Sequence, residues 1–155
     1  MTHDDVDKDN VYVLGASMGG ATAIYSAQYY QNKLKGMFLC NTFTNLPNLV
    51  DAMSFIYKIF RPLILRNYWP SDKRIPNLTL PIMFISGRKD EMIPYTMMDT
   101  LYQKADKSEY KVMYEVPGGS HMGTWWTGRE KLLHAMIDFM NRCDVLRVKP
   151  SANIV

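Results

Sequence analysis

The sequence predicts an α/β fold, a mostly parallel sheet with helices on its faces. Short β-rich apolar runs alternate along the chain with segments of helical spacing, and such alternation is the pattern of strands joined by crossover helices. Size sets the second bound. The chain has 155 residues, 47% of them hydrophobic and 21% charged, which makes one globular domain and leaves too little for two.

Val11-Tyr-Val-Leu14 is the first strand, stopping at Gly15, and from Ala21 to Tyr30 the composition turns helical. Met37-Phe-Leu-Cys40 follows a Lys-Gly break, Ile82-Met-Phe-Ile-Ser86 follows Pro81, and Lys111-Val-Met-Tyr-Glu-Val116 ends at Pro117-Gly-Gly. Each reads as a further strand bounded by turn residues. Helices are expected over Tyr95 to Lys104 and over Arg129 to Arg142, the second with Leu132, Leu133, Met136, Ile137 and Met140 at helical spacing. Thr42 to Leu80 breaks the rhythm, with one amphipathic piece and a stretch bearing Pro, Asn and Arg, and reads as a cap insertion over one end of the sheet. The domain is therefore expected over residues 1–145, with the cap at about 42–80 and an irregular tail over 146–155.

Composition removes several roles. Eighteen Lys and Arg against fifteen Asp and Glu give a formal charge of +3 with the signs interleaved, so charge gives nucleic-acid binding no support. Cys40 and Cys143 are far apart and form no CxxC, which implies neither a disulfide framework nor a metal cluster and fits a reducing compartment. The start, through Asn10, has no apolar run for a signal or anchor, and Met53 to Leu65 is interrupted by Lys58, Arg61 and Pro62. As written, the chain is expected to be soluble and cytoplasmic.

Gly15-Ala16-Ser17-Met18-Gly19 is a G-x-S-x-G sequence between a predicted strand and a predicted helix. A sharp turn there strains the central serine and lifts its hydroxyl above the sheet, with Gly15, Gly19 and Gly20 expected to make room for the two arms. Ser17 is the expected nucleophile, and the Met18 N–H an expected oxyanion donor at the positive end of the helix. The plainer alternative is a glycine-rich turn; a dinucleotide fingerprint lacks its spacing here. A serine needs a base oriented by a carboxylate. Of the three histidines, His3 lies in the polar start, His134 inside the last helix, and His121 on the loop after the last strand, which makes His121 the expected base. Asp90, after the strand that starts at Ile82, is the expected acid; Glu91 is its neighbouring rival, and Asp72 and Asp106 read as surface acids. The order Ser17, Asp90, His121 is the order in which this chemistry appears on such sheets.

These residues resemble the α/β-hydrolase family. The run Val11 to Gly20, Phe84-Ile-Ser-Gly-Arg-Lys-Asp-Glu-Met-Ile-Pro94 and Pro117-Gly-Gly-Ser-His121 match its motifs. Asn41-Thr42-Phe43-Thr44 and Trp125-Trp126 are similar to the branch called alpha/beta-hydrolase domain-containing protein thirteen, although Met122-Gly123 stands where that branch tends to have Asn-Asp. The resemblance implies Ser17 as nucleophile, Asp90 as acid and His121 as base. It covers the C-terminal half of such a domain: family members place several strands and a His-Gly-rich oxyanion loop before the elbow, whereas here the elbow begins at Gly15. A fragment, an alternative product or a misassigned start is thus expected, the fragment partnered by an N-terminal half that in this branch often carries a membrane anchor.

Two functions follow as expectations. The first is a serine esterase or thioesterase acting on a small acyl ester or an acyl-protein through an acyl-serine intermediate, with Phe43, Phe55, Ile56 and Phe60 lining an acyl groove, or else packing as an ordinary cap helix. Lys58, Arg61 and Arg66 beside them would suit peripheral contact with an anionic membrane, a solvated helix face being the commoner meaning of such charges. The second is a catalytically inactive hydrolase-like fragment or interaction module. Neither calls for a cofactor or a metal.

Overall fold

The computed structural model describes residues 7–53 and 67–148. Its centre is an all-parallel sheet of four strands in the order β1 (Tyr12–Ala16), β2 (Gly36–Cys40), β3 (Ile82–Gly87) and β4 (Lys111–Val116). Tyr12 lies opposite Gly36, Met37 opposite Ile82, and Ile82 opposite Lys111. Helix α1 (Met18–Tyr30) joins β1 to β2 and α4 (Tyr95–Lys104) joins β3 to β4. Between β2 and β3 come α2 (Leu46–Met53) and the single turn α3 (Ser71–Arg74); α5 (Thr124–Val148) follows β4.

The two-residue period of the strands sorts their apolar side chains onto opposite faces. Met37, Leu39, Ile82 and Phe84 meet Ala23, Ile24 and Ala27 of α1 and Met98 and Leu101 of α4. Phe38, Cys40, Met83 and Ile85 meet Leu132, Phe139 and Cys143 of α5. With both faces covered, β2 and β3 are buried along their whole length, as continuous apolar runs in a parallel sheet require. Each large side chain so buried contributes roughly 1.5–3 kcal/mol. A third cluster, Ala21, Phe43, Ile93 and Met97 with Leu46, Leu49 and Trp69 against it, fastens α2 over the carboxyl end of the sheet.

Several boundaries differ from the sequence reading. β1 runs on through Gly15 and Ala16, which stay in register with Leu39 and Cys40. α1 begins at Met18 and α5 at Thr124, and α5 is broken at Arg129 (φ 38°, ψ −129°), so the helix expected from Arg129 is its second segment. That segment continues to Val148, past residue 146 where an irregular tail was expected. The insertion also rejoins the core before residue 80, because Ile75, Leu78 and Leu80 are buried with α1 and α4. Phe55, Ile56, Phe60, Lys58, Arg61 and Arg66 lie outside the described residues, as does His3.

Among the described residues β1 pairs only with β2. Leu14 on it is 50% exposed.

Candidate active site

Ser17 follows β1 directly and has φ 52° and ψ −124°. Its N–H still donates to the Cys40 carbonyl (3.0 Å), while its own carbonyl already accepts the Gly20 N–H (3.0 Å) as the first turn of α1. Strand becomes helix within one residue, and only an unusual backbone allows it. Holding a non-glycine residue there costs on the order of 1–3 kcal/mol. The arms nearly touch: a Cβ on Gly15 would lie 2.4 Å from the Gly19 carbonyl oxygen, and one on Gly20 2.4 Å from Thr42 Oγ1. Gly19, expected to serve the same end, has nothing within 4 Å of its Cβ position, so two glycines and not three make the room.

Asp90 and His121 arrive on the loops after β3 and β4, and the structure brings both to Ser17. His121 Nε2 lies 3.1 Å from Ser17 Oγ and His121 Nδ1 2.8 Å from Asp90 Oδ2. The histidine side chain is 6% exposed and the aspartate 1%. Asp90 Oδ1 accepts the N–H groups of Met92 (2.9 Å) and Ile93 (2.8 Å), which leaves Oδ2 for the imidazole. Glu91 does not compete for the ring. Its carboxylate accepts the backbone N–H of His121 at 3.1 Å, and this bond is the main reason its pKa lies below the ordinary value. Arg88 steadies the same loop, forking onto Asp99 (2.8 and 3.0 Å), reaching Glu115 and lying over the Tyr95 ring.

Cys40 lies in the wall behind these residues, its thiol pushed up to about 12 by burial, with the Asp90 charge adding to the effect. Together Ala16, Ser17, Cys40, Asn41, His121, Met122 and Trp125 line a pocket of about 140 Å³. Met18 is the first residue of α1. Its N–H therefore has no acceptor within the helix and carries the positive end of the helix dipole.

Phe43, expected as groove lining, is instead fully buried in the cluster under α2, because the residue after Asn41-Thr42 turns inward against Ala21 and Met97. His134 and Asp106 are exposed, and Asp72 receives the Asn45 amide (3.3 Å) with Lys104 nearby. No group of three His, Cys, Asp or Glu side chains among the described residues could hold a metal ion. Sequence reasoning gives no structural role to Asn41, whose amide joins the loops around the site. Its one available signal is a polar pair directly after a wholly apolar strand.

Residues 3–61 match the family model described as alpha/beta hydrolase fold. The alpha/beta hydrolase domain-containing protein WAV2 of Arabidopsis thaliana is 28% identical over 150 residues, which cover 89% of this chain and 49% of that protein. An uncharacterized membrane protein of Saccharomyces cerevisiae is 32% identical over 119 residues, 76% of this chain and 41% of that protein. The chain thus spans about half the length of the curated relatives it matches. Among the described residues, no helix is long and apolar enough to cross a membrane. In three dimensions, an esterase of Pyrococcus furiosus superposes with a TM-score of 0.68 at 16% identity, over 86% of this chain and 54% of that one. By its parallel sheet with helices on both faces, its strand-to-helix turn and these matches, the chain has the α/β-hydrolase fold.

Proposed function

We propose that the chain carries the reacting groups of a serine hydrolase that cleaves carboxylic esters or acyl thioesters through an acyl-serine intermediate. The observation that carries the reading is the strained Ser17 backbone, with the Ser17–His121–Asp90 contacts in line behind it. An interaction module has no use for that strain, and glycine at position 17 would relieve it.

In this reading His121 Nε2 takes the Ser17 proton as Oγ attacks the substrate carbonyl, and Asp90 holds the Nδ1–H tautomer and stabilises the imidazolium. The Met18 N–H donates to the developing oxyanion. Collapse of the tetrahedral intermediate expels the alkoxide or thiolate, which receives the proton from His121. Water then attacks the acyl-serine, giving its proton to His121, and the acid departs as Ser17 Oγ takes that proton back. The pocket of about 140 Å³ beside Ser17 suits the reacting acyl carbon and a few atoms next to it.

The test is covalent labelling with a serine-directed fluorophosphonate. Ser17 is expected to carry the adduct by mass spectrometry, Ser17→Ala and His121→Ala to abolish labelling, and Asp90→Asn to slow it by orders of magnitude while the fold persists. An adduct on another residue, or undiminished labelling of Ser17→Ala, would overturn the assignment.

A further inference from the structure

We infer that the Asn41–Thr42 dipeptide is a positioning bracket that holds the three loops bearing Ser17, Asp90 and His121 at proton-transfer spacing, an inference that rests on the serine-hydrolase reading above. The two residues follow β2, the strand between those carrying Ser17 and Asp90. Asn41 is 3% exposed and Thr42 fully buried.

Every polar atom of the Asn41 side chain is used. Oδ1 accepts the Gly87 N–H at 2.8 Å, at the end of the strand that leads to Asp90. Nδ2 donates to the His121 carbonyl (3.1 Å) and to Thr124 Oγ1 (3.0 Å). Thr124 Oγ1 in turn donates to the Ser120 carbonyl at 2.7 Å, so its hydroxyl hydrogen is committed and it can only accept from Asn41. The Gly87 N–H can only donate, which fixes the amide orientation. Thr42 completes the bracket on the other side, its hydroxyl donating to the Ser17 carbonyl at 2.7 Å. The backbone of Asn41 has φ 43°, a region asparagine enters more readily than most residues.

His121 is consequently held by its peptide as well as its ring. Asn41 takes its carbonyl and Glu91 its N–H, while the ring spans Asp90 and Ser17. A shift of about 1 Å in such a constellation can cost on the order of a hundredfold in rate. Buried amides with both ends satisfied resist that shift.

The experiment resolves fluorophosphonate labelling of the native polypeptide into probe affinity, labelled fraction and the rate of the chemical step. Proton NMR follows the His121 Nδ1–H resonance in parallel, assigned by its loss in His121→Ala. Asn41→Asp keeps the shape and the backbone preference but turns the donor toward two oxygens into an acceptor; Asn41→Gly keeps the backbone and deletes the amide. Both are expected to slow the chemical step about tenfold to a hundredfold, with affinity and labelled fraction unchanged, and to shift or broaden the imidazole resonance. Thr42→Val, nearly isosteric, carries the test if the Asn41 variants fail to fold, and is expected to slow the same step with affinity unchanged. A wild-type chemical step in a folded Asn41 variant, or in Thr42→Val, overturns the bracket. Should wild-type Ser17 take no label, the hydrolase reading falls instead, and an unshifted imidazole resonance in the folded variants would then overturn the bracket independently.

Discussion

Ser17 divides the sheet into two unlike regions. On one side β2, β3 and the loops after β3 and β4 form a buried, cross-bonded body in which Asn41, Gly87, Ser120 and Thr124 exchange hydrogen bonds. On the other, β1 pairs with a single neighbour among the described residues and shows Leu14 half exposed. The half of the site that holds Asp90 and His121 is therefore built from this chain's own buried hydrogen bonds. The half facing β1 offers the Met18 N–H and an open strand edge. Rigid positioning and open surface meet at one residue, and substitutions on the two sides should behave differently.

The largest effect is expected at Gly87. A Cβ there would lie 2.2 Å from Thr124 Oγ1 and 2.6 Å from the Gly119 carbonyl oxygen, which is backbone and cannot swing away. Gly87→Ala is predicted to destabilise the fold by about 3 kcal/mol or more, the upper range for overpacking, and to loosen the histidine loop. Equilibrium denaturation in urea measures the first effect. A loss below about 1 kcal/mol would mean that the side holding Asp90 and His121 is less closely packed than the geometry requires.

The next effect depends on pH. Cys40 stays a neutral thiol in the folded protein up to about 12, chiefly because of burial, whereas an exposed thiol ionises near 9.0. Below the unfolded value both states are protonated and Cys40 adds no slope. As pH rises from 9.0 towards about 12 the unfolded chain ionises first, so stability is lost across that window. Cys40→Ala should show a shallower loss of stability between neutral and alkaline pH than the parent, read as the difference between two urea midpoints. Equal slopes would place the ionisation elsewhere.

Much of this contrast is legible in the sequence, and the parts that are not have physical causes. β4 and α4 can be read with their bounds because each begins and ends at a change of composition. β1 and α1 read short because Gly15, Ala16, Met18 and Gly19 have weak local preference, and their state is set by register with β2 and by the turn at Ser17. The positions of Ser17, Asp90 and His121 on loops after strands follow from motif and chain order. Phe43 misleads because an aromatic residue near a site reads the same whether it faces a ligand or a core. The role of Asn41 is hard to read because its partners are 46 to 83 residues away, and the one local signal, a polar pair after an apolar strand, does not identify them.

A smaller effect is expected at the open edge. Leu14→Lys changes a half-exposed side chain on a strand edge that is unpaired among the described residues, so stability should move by no more than about 0.5 kcal/mol. Charge on such an edge opposes strand addition between copies. Light scattering at matched concentration should therefore show less self-association than the parent. An unchanged association state would mean that other exposed apolar residues, such as Tyr29 or Trp126, drive any contact between copies.

The smallest effect separates two adjacent glycines of the strand-to-helix turn. Gly19 is the second residue of α1, and a Cβ there meets nothing within 4 Å. Glycine in a helix is less favourable than alanine by about 0.5–1 kcal/mol, and the position close to the helix start puts the gain at the low end. Gly19→Ala should thus raise the urea midpoint slightly. Gly20→Ala, one residue on, should lower it, because its Cβ would lie 2.4 Å from Thr42 Oγ1, the hydroxyl that holds the Ser17 carbonyl. Opposite signs at adjacent positions would locate the crowding on the side of the turn that faces β2. If both substitutions destabilise alike, the crowding extends around the whole turn and the division of the site at Ser17 is less sharp than the packing indicates.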